Sequence, residues 1–474
     1  MQKYEHAFGK NDIRGIYNQD ITEELYYNIG IGFVEWLKKK SGKSDMTLTV
    51  CRDARLHSPS LADALISGLT NAGAKVIDLG LAPTPIGYYS EVTMPEVISA
   101  MIITASHNPS EYNGLKMTYQ HQTLNEVQIK VVKELTFANW TSDLKPVRKS
   151  LVKDYDIIPV YIEDMKKRFK DTGKGLKIVV DSANATGGLV GPKLYRELGC
   201  EVVELYSEPD GRFPNHHPNP SDLKTLKDIE KSVVENKADV GIAYDGDSDR
   251  IGVIDTEGKP LTGDKLLLIY ALDLISECDI KPAVVSEVKC SQVLFDTINN
   301  TGAKAIMCKT GHGYIKEKMK ETGAILAGEM SGHTFFKDRY FGFDDAIYAG
   351  CRIIEIIAKN KKINPAFKIQ DLLEPFNAVH TSDEVRFPCP NEMKKQTMET
   401  LKDYVNKHPD MFGCEIKDIV TLDGMRIVFD GGFALIRQSN TEPVFTLRFE
   451  AKTKEQCEHI QNCMIEKLKN ILNK

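Results

Sequence analysis

Residues 97–116 read Val-Ile-Ser-Ala-Met-Ile-Ile-Thr-Ala-Ser-His-Asn-Pro-Ser-Glu-Tyr-Asn-Gly-Leu-Lys. Val97 to Ile103 is apolar throughout except for the small Ser99, and it gives way at Thr104 to a run of loop formers. A continuous apolar run that stops at Ser, Asn, Pro and Gly predicts a strand buried on both faces that ends in a surface loop. Strands of that kind belong to open α/β sheets, whose sites sit at the strand ends. The loop from Thr104 to Lys116 carries a hydroxyl (Ser106), an imidazole (His107), an amide (Asn108) and an ammonium (Lys116). That set suits a serine that carries a charged group with cations to offset it. The alternative is a polar turn with no chemistry.

Outward from this stretch, strands and helices alternate, which predicts a doubly wound, mostly parallel sheet. Thr22 to Lys40 fits a helix with Leu25, Ile29, Phe33 and Leu37 on one face and Gly42 just past its end. Met46 to Cys51 is a strand running into Arg52-Asp53-Ala54-Arg55; Leu61 to Ala72 is a helix, and Lys75 to Leu79 a strand. After a charged linker and helix (Lys145 to Lys170), the pattern restarts with the strands Ile178 to Val180, Glu201 to Leu205 and Asp239 to Tyr244. A third unit begins near Leu261, with strands at Ala283 to Ser286 and Ala305 to Cys308 and a helix from Tyr314 to Thr322. The last 100 or so residues change character. Gly424 to Phe429 and Phe433 to Arg437 flank Asp430-Gly431-Gly432 as a hairpin, Phe445 to Ala451 is another strand, and Thr453 to Leu472 is a helix.

Composition bounds the function. The 474 residues hold 61 basic and 67 acidic side chains, net −6, with no basic stripe of the kind nucleic acid requires. No segment reaches the ~18 apolar residues of a membrane helix, and Met1-Gln-Lys-Tyr-Glu-His carries no apolar signal core. The ten cysteines are scattered with no Cys-x-x-Cys pair, so buried thiols in a reduced, cytoplasmic chain are expected.

Three further loops carry chemistry. Asp245-Gly-Asp-Ser-Asp-Arg250 follows the apolar strand, and its alternate carboxylates converge on one cation if Gly246 lets the loop curl. Oxygen ligands favour Mg²⁺ or Ca²⁺. An EF-hand is excluded, because Arg250 and Thr256 stand where it needs Gly and Glu. Gly328-Glu-Met-Ser-Gly-His333 offers Glu329 and Ser331 to sugar hydroxyls and His333 for proton movement. Arg437-Gln-Ser-Asn-Thr-Glu-Pro443 offers a guanidinium fork with Ser439, Asn440 and Thr441 as neutral donors, a phosphate-type set. Lys309-Thr-Gly311-His312-Gly313 opens a helix, and Lys289 follows a strand. The adjacent His216 and His217, set between prolines, read as a structural connection.

The four loops in this order resemble the α-D-phosphohexomutase superfamily, and its bacterial phosphomannomutase/phosphoglucomutase group in particular, over essentially the whole chain. Thr104 to Pro109 resembles the phosphoserine loop, Asp245 to Arg250 the metal loop, Gly328 to His333 the sugar loop and Arg437 to Pro443 the phosphate loop. Asp12-Ile-Arg14-Gly resembles the N-terminal signature, which implies Arg14 in the site; Asn11 stands where many members have Tyr. The resemblance implies three related α/β/α domains with mixed, mostly parallel sheets (1–152, 153–258, 259–372) and a C-terminal α+β (TBP-like) domain (373–474) around a central cleft. It implies a phosphorylated Ser106 holding Mg²⁺ together with Asp245, Asp247 and Asp249, with a hexose 1,6-bisphosphate as intermediate and activator. Arg14, His107, Lys116, Arg250 and His333 are the implied catalytic set. Lys289, Gly311, His312, Glu329, Ser331, His333, Arg437, Ser439, Asn440 and Thr441 are implied to bind substrate. The implied partners are hexose phosphates, with no nucleic acid or membrane, for a monomer or weak homodimer. Met330 inside the sugar loop favours the mannose/glucose group over a glucosamine-phosphate mutase. A serine-using sugar phosphatase and a non-catalytic phosphosugar-binding protein are the readings from other classes.

Overall fold

The computed structural model describes residues 2–439 and 442–472. The chain forms two compact units, Met1–Leu261 with Ser331–Ile369, and Thr262–Met330 with Gln370–Lys474.

In the first unit, the strand Val97–Ile103 lies between Thr47–Arg52, to which it is parallel, and Tyr112–Tyr119, to which it is antiparallel. The sheet continues in parallel through Lys75–Leu81 to Val152–Asp154, while Ile13–Ile16 closes the other side against Tyr112–Tyr119. The helix Glu23–Ser41 is built as its sequence requires. Thr22 caps its start by accepting from Leu25 N, and Gly42 ends it in a left-handed conformation. Its apolar face (Leu25, Ile29, Phe33, Leu37) is fully buried with Leu48, Val50, Met101 and Ile103. Each such side chain contributes about 1.5–3 kcal/mol of transfer free energy, so this face fixes the helix on the sheet.

A second sheet of the same unit runs Pro260–Leu261, Ile251–Ile254, Val240–Tyr244, Lys177–Asp181, Glu201–Leu205. Its central strands are parallel, and Ile251–Ile254 turns back antiparallel.

Three of the elements that the sequence reading does not contain adjoin the serine and acidic loops. The loop after Ser106 is shorter than expected, because Tyr112–Tyr119 is a strand and places Lys116 opposite Ile102. Its sequence does not alternate, and its neighbours impose it: Gly114 passes so close to Ile13 O and Thr104 O that a Cβ would stand 2.4 and 2.7 Å from them. The helix Thr84–Thr93 begins with Pro85 in its first turn, and its Gly87 fits against Ile102 where a Cβ would lie 2.6 Å from Cγ1. The helix Ala346–Ile363 is capped by Asp345, which accepts from Ile347 N and Tyr348 N.

In the second unit, Ala283–Glu287 is parallel to Lys304–Cys308 and to Leu326–Gly328; the helix Gly263–Glu277 precedes these strands in the chain, and Gln292–Asn300 and His312–Thr322 connect them. The remainder is an antiparallel sheet. The expected hairpin is present, with Phe429 opposite Gly432 and Gly431 at φ +75°, which glycine adopts without strain. The helices Asn391–Lys407 and Lys454–Leu472 bury Leu401, Val405, Ile460, Met464 and Leu468 with the apolar sheet residues Ile427, Ile436, Leu447 and Phe449. Among the described residues no helix is long and apolar enough to cross a membrane.

Candidate active site

Ser106 sits where Val97–Ile103 ends, in a left-handed conformation (φ +49°) that a non-glycine residue holds only when its surroundings impose it. It is only 2% exposed, more deeply set than an open surface loop. Its Oγ donates to Asp245 Oδ2 at 2.8 Å and lies 3.2 Å from His107 Nδ1. The acidic loop reaches it because residue 246 is glycine: a Cβ there would stand 2.3 Å from Ser106 O.

Asp245, Asp247 and Asp249 are all buried, with one carboxylate oxygen of each within 4.8 Å of the others. The loop curls on itself, since Asp245 Oδ1 accepts from Asp249 N and Arg250 N at 3.1 and 3.2 Å. Asp247 Oδ2 accepts from Thr84 Oγ1 (2.6 Å) and Lys116 Nζ (2.8 Å), and Asp249 Oδ2 accepts from the same ammonium. Asp247 Oδ1 is buried with no hydrogen-bond partner. Burial, then Asp249 and Asp247, pushes the Asp245 carboxyl well above the usual carboxylate range. Burial works the same way on Asp249, but Lys116, His333 and Arg250 outweigh it and hold that carboxyl well below its ordinary value.

Three converging carboxylates, one with an orphaned buried oxygen, form an oxygen donor set that fits a hard divalent cation.

Cations surround this loop. Arg14, on the strand Ile13–Ile16, donates to Asn108 Oδ1 at 2.7 Å and pairs with Asp12. Burial opposes its charge, but Asp12 and then Asp247 push its pKa up. His333 Nε2 lies 3.2 Å from Arg250 Nε and 3.1 Å from Asp249 Oδ1. Arg250, burial and Arg14 pull His107 down to about 2, so that imidazole is neutral.

The Gly328–His333 loop is divided. Ser331 and His333 belong to the first unit and Glu329 to the second. Within the second unit, Glu329 Oε1 accepts from Gly311 N at 2.7 Å, which brings the 311–312 helix start to the carboxylate. Lys289 lies 3.7 Å from Glu287 and 3.9 Å from Glu384. Asp423 Oδ2 accepts from both Thr310 N and Arg437 Nε at 3.1 Å, so it links the 310 loop to the expected phosphate loop. Asn440 and Thr441 lie outside the described residues. Lys394, buried on Asn391–Lys407, donates to Ser439 O and Glu442 O and so ties the two ends of that loop.

Sequence reasoning missed Arg55, Thr84, Asp423 and Lys394. Only Arg55 left a signal, as the second cation of Arg52-Asp-Ala-Arg55 directly after a strand. His216 Nε2 pairs with Asp181 Oδ2 at 3.0 Å.

The fold and site geometry define a phosphohexomutase-type protein, and comparison with known proteins agrees. The descriptions of phosphoglucomutase/phosphomannomutase alpha/beta/alpha domains I, II and III match residues 5–140, 159–258 and 262–376, and that of the C-terminal domain matches 384–467. The chain belongs to the phosphoglucomutase/phosphomannomutase family. It is 38% identical to the phosphomannomutase/phosphoglucomutase of Pseudomonas aeruginosa over 98% of this chain and 96% of that one. It is 36% identical to a phosphoglucomutase of Neisseria gonorrhoeae over 96% and 95%. A crystal structure of a family protein from Burkholderia thailandensis superposes with a TM-score of 0.86 at 33% identity, covering 98% of this chain and 97% of that one.

Proposed function

We propose that this chain is a phosphomannomutase/phosphoglucomutase that moves a phosphoryl group reversibly between the 1- and 6-positions of glucose or mannose phosphate. It does so through phosphorylated Ser106 and a hexose 1,6-bisphosphate. The observation that carries the reading is the Ser106 hydroxyl held at 2.8 Å on Asp245, inside a carboxylate loop crossed by Lys116. The names of the relatives support it.

Asp245, Asp247 and Asp249, with an oxygen on Ser106, hold Mg²⁺ in this reading. The chemistry that cation supplies when bound is neutralisation of phosphoryl charge. The chain's own part is positioning and further charge. Lys116, Arg14 and Arg250 face the phosphoryl oxygens, since phosphoryl transfer depends mostly on alignment and electrostatics. In the forward half-reaction a sugar hydroxyl gives up its proton to His333 or His312, its oxygen bonds to phosphorus, and the bond to Ser106 Oγ breaks. Ser106 Oγ then recovers a proton, and Lys116, held charged by Asp247 and Asp249, is the donor in this reading. His333 and His312 serve the sugar side. Glu329 and Ser331 read the sugar hydroxyls, and Lys289, Gly311, Arg437, Ser439, Asn440 and Thr441 hold the rest of the phosphosugar. Hydroxyl readers that ignore C2 accept both glucose and mannose.

The test is incubation with glucose 1-phosphate or mannose 1-phosphate, Mg²⁺ and a trace of glucose 1,6-bisphosphate. The 6-phosphate is expected without matching free phosphate, and Ser106→Ala is expected to lose turnover by orders of magnitude. Stoichiometric phosphate release would instead identify a phosphatase, and no conversion a binding protein.

A further inference from the structure

We propose that Arg55 is the positioning residue that sets Ser106 for phosphoryl transfer, an inference that rests on Ser106 being the phosphate carrier. Arg55 is 1% exposed and uses all five of its guanidinium N–H donors. Nη2 donates to Ser106 O at 2.9 Å and to Asn108 O at 2.7 Å. Nη1 donates to Tyr112 O at 3.1 Å and to Pro109 O. The remaining donor, Nε, is fixed by Asp53 Oδ2 at 3.0 Å, and Asp53 Oδ1 also accepts from Arg55 N and Ser58 Oγ. Four of the five donors therefore grip backbone carbonyls of the loop that carries Ser106. On one face the ring of Phe213 lies 5.2 Å from the guanidinium.

The grip matters because of what Ser106 must do. Its left-handed backbone relaxes unless something holds it. Its carbonyl is confined between Arg55 Nη2 at 2.9 Å and Gly246, where a Cβ would approach to 2.3 Å. That confinement directs Oγ at Asp245 Oδ2. Arg55 touches only the backbone of the serine loop, so it acts through Ser106 and not on the substrate. Lysine cannot replace it: an ammonium has three donors on a flexible stem and cannot span four carbonyls in a plane.

The experiment compares wild type with Arg55→Lys and, as a packing control, Phe213→Ala. The readouts are kcat and KM with glucose 1-phosphate, Mg²⁺ binding by calorimetry and thermal melting. Arg55→Lys is expected to fold, to lose about 100-fold in kcat, the cost of about 1 Å of misplacement, and to keep KM within about threefold, with Mg²⁺ affinity weakened only through the Ser106 ligand. Phe213→Ala is expected to keep kcat within about threefold. Should Arg55→Lys not fold, Asp53→Asn loosens the Nε anchor while keeping the guanidinium, and about a tenfold loss in kcat at unchanged KM is expected. The proposal is overturned by a folded Arg55→Lys with near-normal kcat. It is equally overturned by an unaffected kcat in Asp53→Asn, or by a loss of kcat matched by an equal rise in KM and a lowered melting temperature, which marks a merely structural role. A wild-type enzyme without mutase activity would overturn the functional reading instead.

Discussion

Replacing Gly246 with alanine tests the contact on which the site's assembly depends. The added Cβ would stand 2.3 Å from Ser106 O and 3.2 Å from its carbonyl carbon. Both are backbone atoms, so no side chain can swing away. Restoring an ordinary carbon–oxygen contact of about 3.3–3.5 Å requires the acidic loop and the serine loop to part by about 1 Å. That opens the 2.8 Å contact between Ser106 Oγ and Asp245 by a similar amount. Misplacement on this scale costs about 100-fold in rate, and the overpacking costs about 1–3 kcal/mol of stability. Steady-state mutase kinetics and a thermal melt read both. The expected result is a folded protein with kcat reduced about 100-fold and a melting temperature lowered by about 2–4 °C per kcal/mol. Gly246→Ala with kcat within threefold of wild type would refute the claim that this backbone approach aligns the serine with the carboxylates.

Thr84→Val removes the hydroxyl that holds Asp247 Oδ2 at 2.6 Å; Mg²⁺ binding measured by calorimetry should weaken about 10-fold or more, and Thr84→Ser should restore it. Lys116→Met leaves Asp247 and Asp249 buried without their ammonium, so the metal-free protein should lose about 3–5 kcal/mol in denaturant unfolding, and added Mg²⁺ should stabilise the variant more than wild type. Burial works against the charged form of His216, but its bond to Asp181 outweighs that and raises the pKa above the usual histidine value. Its contribution is therefore fully present below the unfolded-state pKa and is lost as pH rises through the higher folded value. The stability gap between wild type and His216→Gln should accordingly be wide near pH 6 and narrow by pH 8.5, as pH-dependent urea unfolding would show.

Much of this was legible in the sequence, for identifiable reasons. Apolar runs that end in Ser, Asp or Gly mark strand ends, and the serine and acidic loops do lie at the ends of Val97–Ile103 and Val240–Tyr244. The helix over 22–40 showed its terminal glycine and its buried face. What stayed hidden depends on partners distant in the chain. Lys116 reads as a loop cation, yet it lies on a strand created by its pairing with Ile13–Ile16 and Val97–Ile103. Thr84 carries no local signal; only the fold brings it to Asp247, 163 positions away. No local pattern reveals that the chain changes unit between Met330 and Ser331, which assigns Glu329 and His333 to separate bodies. Arg55 resembles any arginine after a strand until its carbonyl partners are seen.

The burial of Ser106 decides what kind of donor can load it. Protein kinases take their target serine on an extended, accessible peptide, but here the serine is 2% exposed, left-handed, and stitched down at its own carbonyl by Arg55. In the proposed cycle its phosphate comes from, and returns to, a molecule the size of a sugar, so the protein's covalent state would follow the supply of small phosphorylated metabolites.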